Sequence, residues 1–334
     1  MANSSSPDIC FSFFMFTADL QPDNPAYTKV VIGHIKYLKD HGYTGFDLPI
    51  APTAQDHRIE VQNYQKLRDA FDAAGLTDVH FTTNVGATRT FDPSSMYTQQ
   101  RDIALAYLKS RVDITKALRG DVMAGPIITP YGIFPTSDSN QPIWSDALQD
   151  WAKVRYHNAL PVFKQLGGYA ASQGVKLAIE PVDHWETAPP NLVREVVDFT
   201  EQVANESVGV CIDSAHVVLG SDGPPAFTDE VKRVLAKRVL HYVHISAPDR
   251  GAVHESWIPW KTFLTPICAG AYKGPFLVEV FNAIPVFLNS LRLARRKFWI
   301  PGEDAPEPGR PSAYTIAEKA LAAVHAELGA AGCA

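Results

Sequence analysis

Residues 9–20 read ICFSFFMFTADL, an apolar, ring-rich run that ends in Thr17-Ala18-Asp19. Residues 9–16 have the composition of a buried strand. A dinucleotide-binding sheet would follow its first strand with closely spaced glycines, which let the backbone approach a pyrophosphate. Phe16-Thr-Ala-Asp-Leu20 supplies none. The run also reads poorly as a secretory leader, because nothing basic precedes it and no small-residue cleavage region follows.

Working outward, short β-branched or aromatic runs alternate with longer amphipathic stretches. Strands are expected at 9–16, 45–50, 79–84, 121–128, 176–181, 208–213, 240–245 and 276–280. Helices are expected at 26–41, 60–74, 99–118, 146–173, 192–205, 228–237, 260–269 and 285–296, with a last one at 313–328. Strict strand–helix alternation calls for parallel strands with helical crossovers. With the dinucleotide-binding version disfavoured, the expected fold is α/β, a closed (β/α)8 TIM barrel in one domain. Residues 1–298 would form the barrel, and 299–334 a Pro-rich segment with a C-terminal helix packed on it. Chemistry then belongs at the carboxyl ends of the strands.

Composition narrows the classes. The 334 residues are 46% hydrophobic and 20% charged, with 30 Lys+Arg against 36 Asp+Glu. Disordered, collagen-like and coiled-coil chains are excluded, and a net charge of −6 argues against a dedicated nucleic-acid binder. No stretch approaches a membrane span. Cys10, Cys211, Cys268 and Cys333 stand far apart without a CxxC, which points away from a disulfide framework and toward a reducing, cytoplasmic setting. The expected partner is a small molecule, with neither nucleic acid nor membrane.

The ends of the last four expected strands carry the chemistry. They close on Glu180, Asp213, His244 and Glu279, spaced by 33, 31 and 35 residues. That is about one βα unit each, so the four occupy equivalent places on neighbouring strands. Ile179, Val208, Val210, Ile212, Val243, Ile245, Val278 and Val280 alternate with the polar set and would face the helices. The polar four would converge in the barrel mouth. One acidic residue at a strand end is usually a helix cap, but four in register are not. Three carboxylates held together away from water stay ionised only beside a cation. Three oxygen donors and one imidazole suit a divalent ion, with Mn²⁺ expected first and Mg²⁺ or Co²⁺ as alternatives.

In order and spacing these motifs resemble the sugar isomerase/epimerase superfamily of xylose-isomerase-like barrels, in particular the ketose 3-epimerases of tagatose/allulose type. The matching stretches are Glu180-Pro-Val-Asp-His-Trp-Glu186, Asp213-Ser-Ala-His216, His244-Ile-Ser-Ala-Pro-Asp-Arg250 and Val278-Glu279. The resemblance is specific over residues 175–285 and architectural before that. It implies that Glu180, Asp213, His244 and Glu279 hold the metal and that Glu180 and Glu279 double as the acid/base pair. His216 and Arg250 would bind the substrate's carbonyl oxygen, and Glu186 a terminal hydroxyl. The implied reaction is epimerisation or isomerisation of a ketose or keto-sugar by proton abstraction next to the carbonyl, through an enediolate. Neighbouring reactions of the superfamily remain open: an inosose dehydratase, or a carbon–carbon or carbon–oxygen lyase on 3-oxo-glycosides of the C-glycoside deglycosidase α-subunit type. The assembly would be a homo-oligomer, or a hetero-oligomer with a small subunit in the deglycosidase case. A nucleic-acid-gripping barrel of endonuclease type would need more metal-binding histidines and a basic face.

Other features are weaker. The long loop at 130–144 reads either as a surface connection or as a lid, and Tyr131, Phe134 and Trp144 would be placed to stack on an aryl group. Asp47 reads as a turn cap or a contact to a substrate hydroxyl. His80 and His241 read as hydrogen-bonded structural histidines and His184 as a residue lining the site. His254, Glu255 and Trp257 are placed outside the substrate rim.

Overall fold

The computed structural model describes residues 7–53, 55–143, 145–220, 223–270, 272–282 and 298–333. The strands are β1 (Ile9–Ser12), β2 (Gly45–Pro49), β3 (His80–Asn84), β4 (Val122–Gly125), β5 (Lys176–Ile179), β6 (Val208–Asp213), β7 (Leu240–Ser246) and β8 (Phe276–Glu279). All pair in parallel with their sequence neighbours, and β8 closes on β1. The helices are α1 (Pro25–Asp40), α2 (His57–Ala73), α3 (Thr98–Ala117), α4 (Ser145–Gln173), α5 (Val193–Val203), α6 (Ser214–Gly220), α7 (Pro224–Lys237), α8 (Trp260–Ala269) and α9 (Ala313–Ala331). The fold is therefore the TIM barrel read from the sequence. No helix among the described residues is long and apolar enough to cross a membrane.

Local chemistry starts the elements where the sequence offers caps. The Asn24 side chain accepts from the backbone of Ala26 and Tyr27, with Pro25 as the first residue of α1. Asp56 caps α2 and Ser312 caps α9 in the same way. The Glu195 side chain reaches back to the backbone N–H of Asn191 and Leu192 at the start of α5.

Strand parity sorts the sheet into two layers. Phe11, Phe46, Phe81, Met123, Ile179, Ile212, Val243 and Val278 join the large outer core against the helices. Cys10, Val122, Ala124, Ala178, Cys211, Tyr242 and Leu277 form a separate cluster inside the barrel. The interior is narrow: a Cβ on Gly45 would lie 2.7 Å from Cys10 Sγ and 2.8 Å from His80 O.

Three expectations change. β1 stops at Ser12, whose hydroxyl accepts the N–H of Phe14 and turns Phe13–Met15 into a 3-10 turn. The short helix α6 was not expected. The cysteines are not all unpaired, since Cys268 on α8 and Cys333 beyond α9 form a disulfide, while Cys10 and Cys211 are free and buried. The α9 helix is also held by Tyr314, stacked on Tyr37 at 3.7 Å, and by Tyr43, whose hydroxyl donates to Ala317 O at 2.8 Å. The expected helix at 285–296 and Trp144 lie outside the described residues.

Candidate active site

A cavity of about 310 Å³ opens at the carboxyl ends of the strands. Its charged floor carries Glu180, Glu186, His216, Arg250 and Glu279, while Phe14, Pro49, Ile50, Pro126 and Phe281 supply an apolar wall. Asp213 and His244 lie just beneath, both fully buried. One ligand atom from each of Glu180, Asp213, His244 and Glu279 falls within 4.8 Å of the others. His244 Nδ1 is 3.0 Å from Glu180 Oε1 and 3.5 Å from Glu279 Oε1.

Each side chain has a local reason for its place. Asp213 ends β6 and caps α6, with Oδ1 accepting from Ala215 N at 2.7 Å and His216 N at 3.1 Å. The cap and the ligand position are thus one residue. The Ser246 hydroxyl lies 2.7 Å from both Asp213 oxygens and accepts from Arg250 Nη1 at 2.8 Å. Arg250 has left-handed backbone, φ 57°, in a turn where its N–H reaches Ala247 O at 2.8 Å. That turn aims the guanidinium back over the floor, 3.4 Å from Asp213 Oδ2, and 3.5 Å from each of Glu279 Oε2 and Glu186 Oε1. Its far face covers the Phe281 ring at 4.0 Å.

The floor is electrostatically divided. Burial would raise the Asp213 carboxyl, but His216, Arg250, His244 and the Ser246 hydroxyl outweigh it and hold the group at about 2. Burial and the Glu180 carboxylate push Glu279 up to about 8 against the pull of His244 and Arg250. Burial opposes the charged form of His216, yet Asp213 and Asp183 raise it to about 9; Asp183 Oδ2 is 2.9 Å from His216 Nδ1.

The seven residues that the resemblance implies for the site come together at and just beneath this floor. Two partners were missed, Asp183 behind His216 and Ser246 between Asp213 and Arg250, and so was the bond that the Tyr131 hydroxyl donates to Glu186 Oε2 at 2.8 Å. Ser246 shares the parity of His244, so the strand pattern already carried that signal. Tyr131 lines the cavity, with its hydroxyl engaged at the floor. Phe134 is 48% exposed and does not line the cavity. The base of the 130–144 loop is pinned by Gly132 N to Thr187 Oγ1 and Ala188 N to Ile133 O, both 3.0 Å.

The remaining residues also have clear places. Asp47 is neither a turn cap nor a cavity-lining residue; it is fully buried in the barrel interior. His80 Nε2 pairs with Asp121 at 2.7 Å at the amino end of β3, and His241 Nδ1 meets Leu177 O at 3.0 Å. His184 is exposed outside the cavity, and Glu255 and Trp257 line a separate depression.

The donor set fits a divalent ion. Three carboxylates and one imidazole converge, and Glu279 Oε1 is buried without a hydrogen-bond partner, as expected of an atom with a cation to face.

Fold and floor together define a TIM barrel whose polar centre lies at its strand ends. The family model for the xylose isomerase-like TIM barrel matches residues 35–297, and the chain belongs to that family. It is 24% identical over 200 residues to the L-ribulose 3-epimerase of Methylomonas sp. strain DH-1, covering 59% of this chain and 63% of that enzyme, under two thirds of its length. It is 22% identical over 245 residues to the D-psicose 3-epimerase of Agrobacterium fabrum, covering 73% and 78%. A solved structure from Anabaena variabilis, provisionally described as a sugar phosphate isomerase/epimerase, superposes with a TM-score of 0.93 at 54% identity, covering 98% and 100%.

Proposed function

We propose that the protein is a divalent-metal-dependent epimerase or isomerase of a ketose or keto-sugar, working by proton abstraction next to the carbonyl. The observation that carries this reading is the four-residue donor cluster under an open cavity, with two of its carboxylates, Glu180 and Glu279, reaching the cavity wall. A divalent ion held by Glu180, Asp213, His244 and Glu279 would draw electron density from the carbonyl and the adjacent hydroxyl, acidifying the C–H between them. Glu180 and Glu279 then share the proton work. One takes the proton, and the other returns one from the opposite side. Arg250 and His216 hold the oxygen on which charge develops, and Glu186, oriented by Tyr131, accepts from a hydroxyl farther along the chain. The ketose 3-epimerase relatives support this choice over other barrel chemistry.

The direct test is NMR in D₂O with a panel of ketoses and 3-oxo-glycosides, on Mn²⁺-loaded and then stripped protein. Metal-dependent deuterium uptake at one carbon, with the epimer or isomer appearing, is the expected result. Release of an aglycone or a dehydrated sugar without such exchange would make the protein a lyase.

Two substitutions follow from the same geometry. Asp213→Ala is expected to abolish stoichiometric metal, as read by elemental analysis after desalting; one ion per chain in that variant would remove Asp213 from the ligand set. Tyr131→Phe removes one hydrogen bond to a buried carboxylate, so KM should rise about 10-fold with kcat little changed, the worth of one charge-assisted bond. Unchanged kinetics would leave Tyr131 a packing residue.

A further inference from the structure

Beneath the floor lies a second polar layer that the proposed reaction does not use. Asp47, in the middle of β2, is fully buried inside the barrel. Its Oδ1 accepts the Thr82 hydroxyl at 2.6 Å, and Thr82 Oγ1 lies 2.8 Å from the Tyr242 hydroxyl. Its other oxygen, Oδ2, is buried without a hydrogen-bond partner, and so is His244 Nε2. Thr82 and Tyr242 form the chain of contacts that leads from one orphan to the other. The His244 ring packs edge-on against Tyr242, with centroids 4.9 Å apart and planes at 80°. After burial, which pushes the Asp47 carboxyl up to about 6, the largest influence on that group is the opposite charge of His244.

The chemistry of the imidazole says what this layer is for. With Nδ1 facing Glu180 and Glu279, the ring can offer a lone pair to an ion only if its proton sits on Nε2. A buried N–H and a buried carboxylate oxygen are each costly to leave unpaired, and one water would satisfy both at once. Cys211 is the competing neighbour, grouped with Glu180 and His244 by distance. Burial holds its thiol protonated, and sulfur is a weak acceptor.

We propose that Asp47 is a positioning residue for His244: its Oδ2, oriented by Thr82, accepts the Nε2–H through one bridging water and so turns the Nδ1 lone pair toward the ion. Ligating histidines depend on such outer carboxylates for both ring orientation and basicity. The inference rests on the metal reading above, and the experiment separates the two. Mn²⁺ is titrated calorimetrically into stripped wild type, Asp47→Leu, Asp47→Asn, Thr82→Val and Cys211→Ala. The His244 Nε2–H resonance is followed by ¹H–¹⁵N NMR in the stripped and Mg²⁺-treated proteins, assigned by its loss in His244→Gln.

Asp47→Leu should melt cooperatively, bind Mn²⁺ about 10–100-fold more weakly, and show a Nε2–H that moves upfield and exchanges faster. Asp47→Asn keeps an acceptor oxygen and should recover most of the affinity. Thr82→Val should show the same changes at smaller size, which keeps the test alive if Asp47→Leu fails to fold. Wild-type affinity together with an unmoved Nε2–H in the folded Asp47 variants overturns the proposal, as does finding both changes in Cys211→Ala instead. Wild type that takes up no Mn²⁺ sinks the metal reading, and the Nε2–H resonance then decides whether Asp47 still holds the ring.

Discussion

Glu279→Gln is expected to leave the barrel folded and to slow exchange of the substrate's proton with solvent by about 10²–10⁴-fold, the usual worth of a positioned acid or base. The amide keeps the shape of the carboxylate and can accept a hydrogen bond, but it cannot take up a proton. The side chain is 1% exposed at the end of β8, beside Glu180, His244 and Arg250. The check is deuterium uptake with saturating Mn²⁺, alongside the circular dichroism of the variant. Wild-type uptake would take Glu279 out of the mechanism and leave Glu180 as the sole base.

Arg250→Ala is expected to have the largest effect on stability. The guanidinium is 5% exposed and faces Asp213, Glu186 and Glu279 together, and removing one partner of a buried ion cluster costs about 3–5 kcal/mol. Without metal the variant should lose that much in urea denaturation. Saturating Mn²⁺ should restore most of it, because a divalent cation would meet two of these carboxylates, Asp213 and Glu279, and ligand binding adds to folded-state stability. A deficit that Mn²⁺ leaves untouched would mean that the cluster is an Arg-centred structural network rather than an ion site.

The repeat of strand and helix was legible because each element is amphipathic at its own period, and positions 180, 213, 244 and 279 could be located by their spacing at or near the ends of successive strands. The losses were local and have local causes. Ser12 is an ordinary strand residue in composition, and only its hydroxyl, turned onto Phe14 N, stops β1 early. The α6 helix, SAHVVLG, is too short to show a period. Its start is marked by Asp213, whose capping role was hidden behind its place among the ligand-type residues. The Cys268–Cys333 pair spans 65 residues, and no spacing rule reaches that far. Asp183 falls in an irregular loop, where side-chain direction does not follow parity. Asp47 was misjudged because strand ends were read as the mouth, whereas Pro49 and Ile50 of the same segment line the cavity above it.

The division of the sheet into an outward apolar layer and a separate inward one bears on how such a protein can change over generations. The adhesive between helices and strands sits on one set of alternating positions, while the reactive groups and the cavity floor sit on the other. Substitutions at inward positions can therefore reshape the cavity floor and its chemistry while the scaffold's contacts with its helices stay as they were. A lineage built this way can diversify in chemistry far faster than in shape.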